Sequence, residues 1–150
     1  MICIKNKTYV YGYTHAGVFH ADDVFATALL KLIDPNFRIV RGYEPPTHPE
    51  ALIYDIGEGE FDHHQANCEV RPSGVRYASF GLLWRELYPQ LGLTDRQGKH
   101  LDNIFVSIID NTDNTTKKDT VSSLIAGLNP KWDDQSDTKF DHQFNIAVDI

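Results

Sequence analysis

"TYVYGYTHAGVFHADDVFATALLKLI", residues 8–33, changes hydrophobic period halfway along. Its first part, "TYVYGYTH" (8–15), is rich in β-branched and aromatic residues and predicts a strand ending at His15. The second, "HADDVFATALLKLI" (20–33), places Val24, Ala28, Leu29 and Leu32 at helical spacing. "DPNF" closes that helix, because proline disfavours helical geometry in the residue before it. "FRIVRGY" (37–43) is a second strand candidate, and "EPPTHPE" (44–50) is a loop, since its prolines suit neither a helix nor a central strand. "ALIYDIG" (51–57) is a short apolar run of the kind covered on both faces of a sheet, hence a third strand.

Strands alternating with helices predict an α/β fold: a parallel β-sheet flanked by helices. Beyond it, 77–91, 96–110, 120–130 and 137–150 predict a helical C-terminal part. With 150 residues, 41% of them apolar, the chain is long enough for a single domain with a real core, and no repeat or linker divides it. The net charge of −7 argues against a broad nucleic-acid-binding face. Two cysteines, Cys3 and Cys68, make neither a disulfide framework nor a Cys-rich zinc site. "MICIKNKTYVYGYTH" has no signal-peptide core and no apolar run reaches membrane-spanning length, so the expectation is a cytoplasmic protein with no membrane partner.

Ligand sites in parallel sheets lie beyond the carboxyl ends of the strands. His15 and Asp55 both fall at predicted strand ends, beside other candidate ligands. "THAGVFHADD" supplies His15, His20, Asp22 and Asp23; "FDHHQ" supplies Asp62, His63 and His64; "SIIDNTDN" supplies Asp110 and Asp113. Each group has a plainer reading. Asp22 and Asp23 suit any helix N-terminus, His63 and His64 any polar turn, and Asp110 and Asp113 any cap. Asp55 after an apolar strand is harder to dismiss, because a buried carboxylate needs a partner. Together these carboxylates and imidazoles fit a binuclear site for Mn²⁺, Co²⁺, Fe²⁺ or Zn²⁺ better than an all-oxygen Mg²⁺ or Ca²⁺ cage. His48, His100 and His142 stand outside these groups, and "TKK" (116–118) suits a solvated turn.

In order along the chain, "THAGVFHADDVFATALL", "IYDIG", "FDHHQ", "YASFGLLW", "IDN" and "LNPKW" resemble the DHH phosphoesterase superfamily and, within it, the MYG1 (UPF0160) family. The match runs from about Thr14 to the C-terminus. The resemblance implies a phosphodiesterase or 3′–5′ exonuclease that uses two divalent cations, usually manganese, on RNA, DNA or small nucleotides. In the superfamily's first motif a histidine precedes two acids separated by one residue. His15 matches the histidine, His20 takes the place of the first acid and Asp22 matches the second, with spacing one residue longer. By the same carry-over Asp55 bridges both ions; His15 and His20 join it on one, and Asp22, His63 and Asp110 on the other. His64 then faces the substrate phosphate with Arg76, and Asp62 orients a ligand histidine. Family members are longer, so residues 1–150 would be one hydrolase domain without the second domain that closes over the substrate.

Three other readings compete. A non-catalytic nucleotide- or metal-binding module would lack turnover. An all-helical His-Asp phosphohydrolase would lack strands. A structural domain would lack metal.

Overall fold

A computed structural model describes all of residues 1–150. Strands β3 (Tyr11–His15), β4 (Arg38–Gly42) and β5 (Ala51–Ile53) form a parallel sheet in the order β4-β3-β5, preceded by a hairpin of β1 (Ile2–Ile4) and β2 (Lys7–Tyr9). Helix α1 (Ala21–Ile33) connects β3 to β4. After β5 come α2 (Ser79–Leu87), a 3₁₀ turn (Tyr88–Leu91), α3 (Asp95–Leu101), a π turn (Asp102–Val106), α4 (Ser107–Asn114), α5 (Thr120–Gly127) and α6 (Asp137–Asp149). The expected α/β class and helical C-terminal part are both present, and the parallel sheet removes the all-helical alternative. No helix is long and apolar enough to cross a membrane.

Two of the expected strands differ in extent. Residues 8–15 are split at Val10: β2 belongs to the hairpin and β3 to the parallel sheet. The hairpin turns at Lys5 and Asn6, both with positive φ (48° and 65°), the conformation favoured by two-residue hairpin loops. Its signal was the alternation of buried Ile2, exposed Cys3 and buried Ile4. β5 stops at Ile53 rather than running to Gly57. One more ladder bond follows, from Tyr54 N–H to Tyr13 O (3.0 Å), and Asp55 then takes a left-handed conformation (φ 57°).

Helix α1 is the centre of the molecule. Val24, Ala26, Leu29 and Leu30 are all buried, as are the polar Asp22, Asp23 and Thr27, so more than one face of the helix is covered. Leu32, placed on the apolar stripe by spacing, is instead 71% exposed. Phe19, Phe37, Leu52, Tyr54, Leu83, Leu87, Ile109 and Phe144 complete the core around it. At the N-terminal end of α1, the side chain of Asn129 clamps Phe19 from 110 residues away: its Oδ1 accepts from Phe19 N–H (2.9 Å) and its Nδ2 donates to Phe19 O (2.7 Å). That clamp holds the turn from His15 to His20 over the end of the sheet.

Candidate metal centre

A cleft of about 1410 Å³ opens beyond the carboxyl ends of β3 and β5. His15 is the last residue of β3, and Asp55 lies just past β5. Asp55 is buried, and its two oxygens diverge: Oδ2 lies 3.2 Å from His15 Nε2, and Oδ1 lies 3.1 Å from His63 Nε2. His15 and His63 each anchor a separate ligand group, one with His20 and Asp23, the other with Asp22 and Asp113. Asp55 therefore sits between two groups that could each hold an ion. It also belongs to a third such group, with Asp62, His63 and His64.

Both anchoring histidines are held the same way. His15 Nδ1 lies 3.1 Å from Ala16 O, a carbonyl, so Nδ1 must carry the proton of that bond. His63 Nδ1 lies 3.1 Å from Asn114 Oδ1. The Asn114 amide has one orientation, because its Nδ2 donates to the carbonyls of Tyr77 (3.1 Å) and Asp110 (2.9 Å), with Arg76 O at 3.4 Å. Each Nδ1–H is thus engaged and each Nε2 faces carboxylates, the tautomer needed for metal ligation. Without a cation, a second proton must occupy Nε2 to bond Asp55.

The electrostatics agree. Burial disfavours charged His15, but the hydrogen bond to Asp55 and the charge of Asp23 outweigh it and push its pKa up to about 9. His63 is pushed up to about 11, against burial, by Asp113 and Asp55. Asp55 would be raised by burial, yet hydrogen bonds from His15 and His63 hold it below the usual carboxylate range. Asp23 rises to about 7, mainly through burial and then the charge of Asp55. One of its oxygens, Oδ1, accepts from His20 N–H (2.8 Å). The other, Oδ2, is buried with no hydrogen-bond partner, 3.4 Å from His15 Nε2. An orphaned buried carboxylate oxygen beside two imidazoles is what a cation would satisfy.

These shifts fix how metal-free stability depends on pH. Asp23, His15 and His63 all have folded pKa values above their unfolded ones. Their contribution is complete at low pH and fades as pH rises through about 7, 9 and 11 respectively. Asp55 has the opposite sign, and its contribution is lost only in acid. The metal-free melting temperature should therefore fall between about pH 6 and pH 9, and stabilisation by a divalent cation that these groups hold should grow over the same range. Thermal melts at several pH values, with and without the ion, check both trends.

Some residues lie elsewhere than the sequence suggested. Asp110 joins none of the three ligand groups. It is fully buried, 2.7 Å from Arg71 Nη1, and its Oδ1 accepts from Gly81 N–H (3.1 Å). Burial lifts its pKa to about 7, against the pull of Arg71. Asp113, one helical turn on, reaches His63 Nε2 (3.1 Å). Asp22 accepts from Ser79 N–H (3.0 Å) and Phe80 N–H (2.7 Å) while lying 3.8 Å from His63. Ala78, the residue before α2, has no side-chain cap, so two buried aspartates from other helices take the first three N–H groups of α2. A side chain at Gly81 would collide with Asp110 and Arg71, which is why the position is bare.

Asp62 holds His64 rather than His63. Its Oδ1 lies 2.6 Å from His64 Nδ1, and its oxygens also accept from the N–H groups of Glu58 (2.7 Å) and His63 (2.8 Å). His64 is 58% exposed on the cleft wall, and Arg76 lines the same cleft. His48, His100 and His142 are exposed and line no part of it. Asn114 went unrecognised as a site residue. Its signal was an amide four residues after Asp110, in helical register with it.

Known proteins match most of this chain. The model of an uncharacterised protein family (UPF0160), named for a MYG1 exonuclease, matches residues 13–150. A protein of Mus musculus named MYG1 exonuclease is 29% identical over 177 residues, covering 91% of this chain and 46% of its own. A MYG1 protein of Chlamydia pneumoniae is 30% identical over 151 residues, covering 90% and 49%. Another, from Dictyostelium discoideum, is 23% identical over 172 residues, covering 91% and 52%. The chain thus spans about half the length of the curated relatives it matches, and no solved structure matches it. With the family's model matching residues 13–150, nearly its whole length, this chain belongs to the MYG1 (UPF0160) family.

Proposed function

We propose that the chain is a metal-dependent phosphoester hydrolase of the DHH phosphoesterase type, a phosphodiesterase or 3′–5′ exonuclease acting on RNA, DNA or small nucleotides. The names of the relatives support a nuclease, and the observation that carries the reading is Asp55, whose two oxygens face two different histidine-centred groups. His15, His20 and Asp23 would hold one divalent cation with Asp55; His63, Asp22 and Asp113 would hold the other. Manganese is the first choice, with Co²⁺, Fe²⁺ or Zn²⁺ as substitutes. When bound, such ions would lower the pKa of a coordinated water and neutralise phosphoryl oxygens. In this reading the second half of the longer relatives closes over the cleft, and residues 1–150 are the hydrolase domain. A cytoplasmic setting belongs to the proposal and accords with two free cysteines.

The protein's own groups divide the remaining work. Asp55 keeps the two sites at a fixed separation and offsets the charge of both. His64, with Nδ1 bonded to Asp62, presents Nε2 to the cleft, where it can donate to a phosphoryl oxygen or protonate the leaving oxygen. Asp62 is fixed by main-chain N–H donors, so His64 is pre-positioned although exposed. Arg76 can pair with phosphate charge.

Calorimetry at neutral pH should show two Mn²⁺ ions per chain, and a folded protein that takes up none would overturn the proposal. His64→Ala should keep both ions and lose about 10²-fold in kcat on a model phosphodiester. His63→Ala should lose one ion. Equal metal loss in both variants would show that their roles are wrongly divided. A wild type that binds both ions but turns over no phosphodiester would be a binding module instead.

A further inference from the structure

The proposed chemistry uses Arg76 but gives no part to Lys117 and Lys118 on the same cleft. Arg76, Lys117 and Lys118 line it, and none has a carboxylate within ion-pair distance. In a chain of net charge −7, these three cations line the same cleft as the carboxylates of the metal centre and are free to pair with an anion.

Their placement is tied to the metal centre. Asn114, which orients His63, also reaches the main chain of Arg76, and Lys117 follows three residues later. The loop between α4 and α5 is pinned at both ends. Thr115 Oγ1 donates to Asn111 O (2.6 Å) and accepts from Lys117 N–H (3.1 Å). Asp119 accepts from Thr112 Oγ1 (2.6 Å), Ser122 N–H (2.8 Å) and Ser122 Oγ (2.6 Å). Reading "TKK" as a mere solvated turn overlooks that this turn borders the cleft. The same cleft also carries Tyr43, 65% exposed, with its hydroxyl tethered to Asp137 (2.5 Å). A tethered, exposed ring is a stacking platform for a base.

We propose that Lys117 and Lys118, on the same cleft as Arg76, form a subsite for backbone phosphates flanking the scissile one in a single-stranded oligonucleotide, with Tyr43 receiving a base. This rests on the hydrolase reading for the scissile position but not for binding. A lone phosphodiester would fill only the metal centre; a strand would also engage the cations.

The test uses a fluorescently labelled single-stranded pentanucleotide with phosphorothioate linkages, Mn²⁺-loaded protein and anisotropy over a range of salt. For single strands the log–log salt slope changes by about 0.7 per phosphate contact. Lys117→Ala/Lys118→Ala should therefore flatten it by about 1.4 and weaken binding about tenfold at ~0.1 M salt. With an unmodified pentanucleotide as substrate, KM should rise about tenfold at unchanged kcat, and kinetics on bis(p-nitrophenyl) phosphate should not move. Tyr43→Ala should weaken the oligonucleotide and leave inorganic tripolyphosphate, a competitor with charge but no base, unaffected. An unchanged salt slope in the double variant, with wild-type turnover intact, overturns the subsite and leaves the hydrolase reading standing. A wild type without turnover whose slope still flattens in the variant overturns the hydrolase reading and keeps the subsite.

Discussion

Asp55→Asn should abolish phosphodiester turnover, by about 10³-fold or more, and remove more metal than any single change at the edge of the cluster. Asp55 alone presents one oxygen to His15 and the other to His63, so its charge offsets two cations at once. An amide keeps the shape but has only one oxygen and no net charge. Backbone strain should not confuse the result. Asp55 has φ 57°, and asparagine is among the few side chains that tolerate this region. The metal-free variant should stay folded but melt below wild type, because the charge that bonds both His15 and His63 is lost. Metal content by elemental analysis, apo melting and turnover together decide the matter. A folded Asp55→Asn that retains both ions and full activity would end the binuclear model.

Asp110→Ala and Asp113→Asn should fail in different ways. Asp110 joins Arg71 to the N-terminus of α2 inside the core, so its removal should cost about 2–4 kcal/mol, with Asp102 still pairing Arg71. Asp113 is partly exposed and faces His63. Asp113→Asn should melt near the wild-type temperature yet bind the second ion far more weakly. Chemical denaturation and Mn²⁺ calorimetry separate the two effects. An Asp110→Ala protein of normal stability that binds a single ion would restore Asp110 as a ligand and return Asp113 to a turn-capping role.

Much of this arrangement was legible from residue patterns. The three parallel strands, α1 and the placement of ligands at strand ends follow from periodicity and proline positions, because those features depend on local preference and on one buried face. What escaped depended on contacts distant in sequence. Nothing near Asp110 announces that Arg71 and the bare Gly81 will claim its carboxylate, while Asp113 looks like a loop residue until its helix is seen to continue to Asn114. Asp22 and Asp23 were readable as helix-start acids, and Asp22 does serve a helix N-terminus, though that of α2 rather than its own. The break at Val10 escaped because both pieces of 8–15 have strand composition; only pairing divides them.

The π turn at Asp102–Val106 adds a counting constraint. There Ser107 N–H reaches back five residues to Asp102 O, so the helix holds one residue more than regular winding would. Each residue of a helix advances the direction of the next by about 100°. Wound regularly, the same residues would swing everything beyond them by roughly that angle, carrying Asp110 off Arg71 and Asp113 off His63 without altering either aspartate. A chain that wound these residues regularly would keep every motif letter and lose the centre they form. The phase of one helix is as much a part of this site as the identity of its ligands.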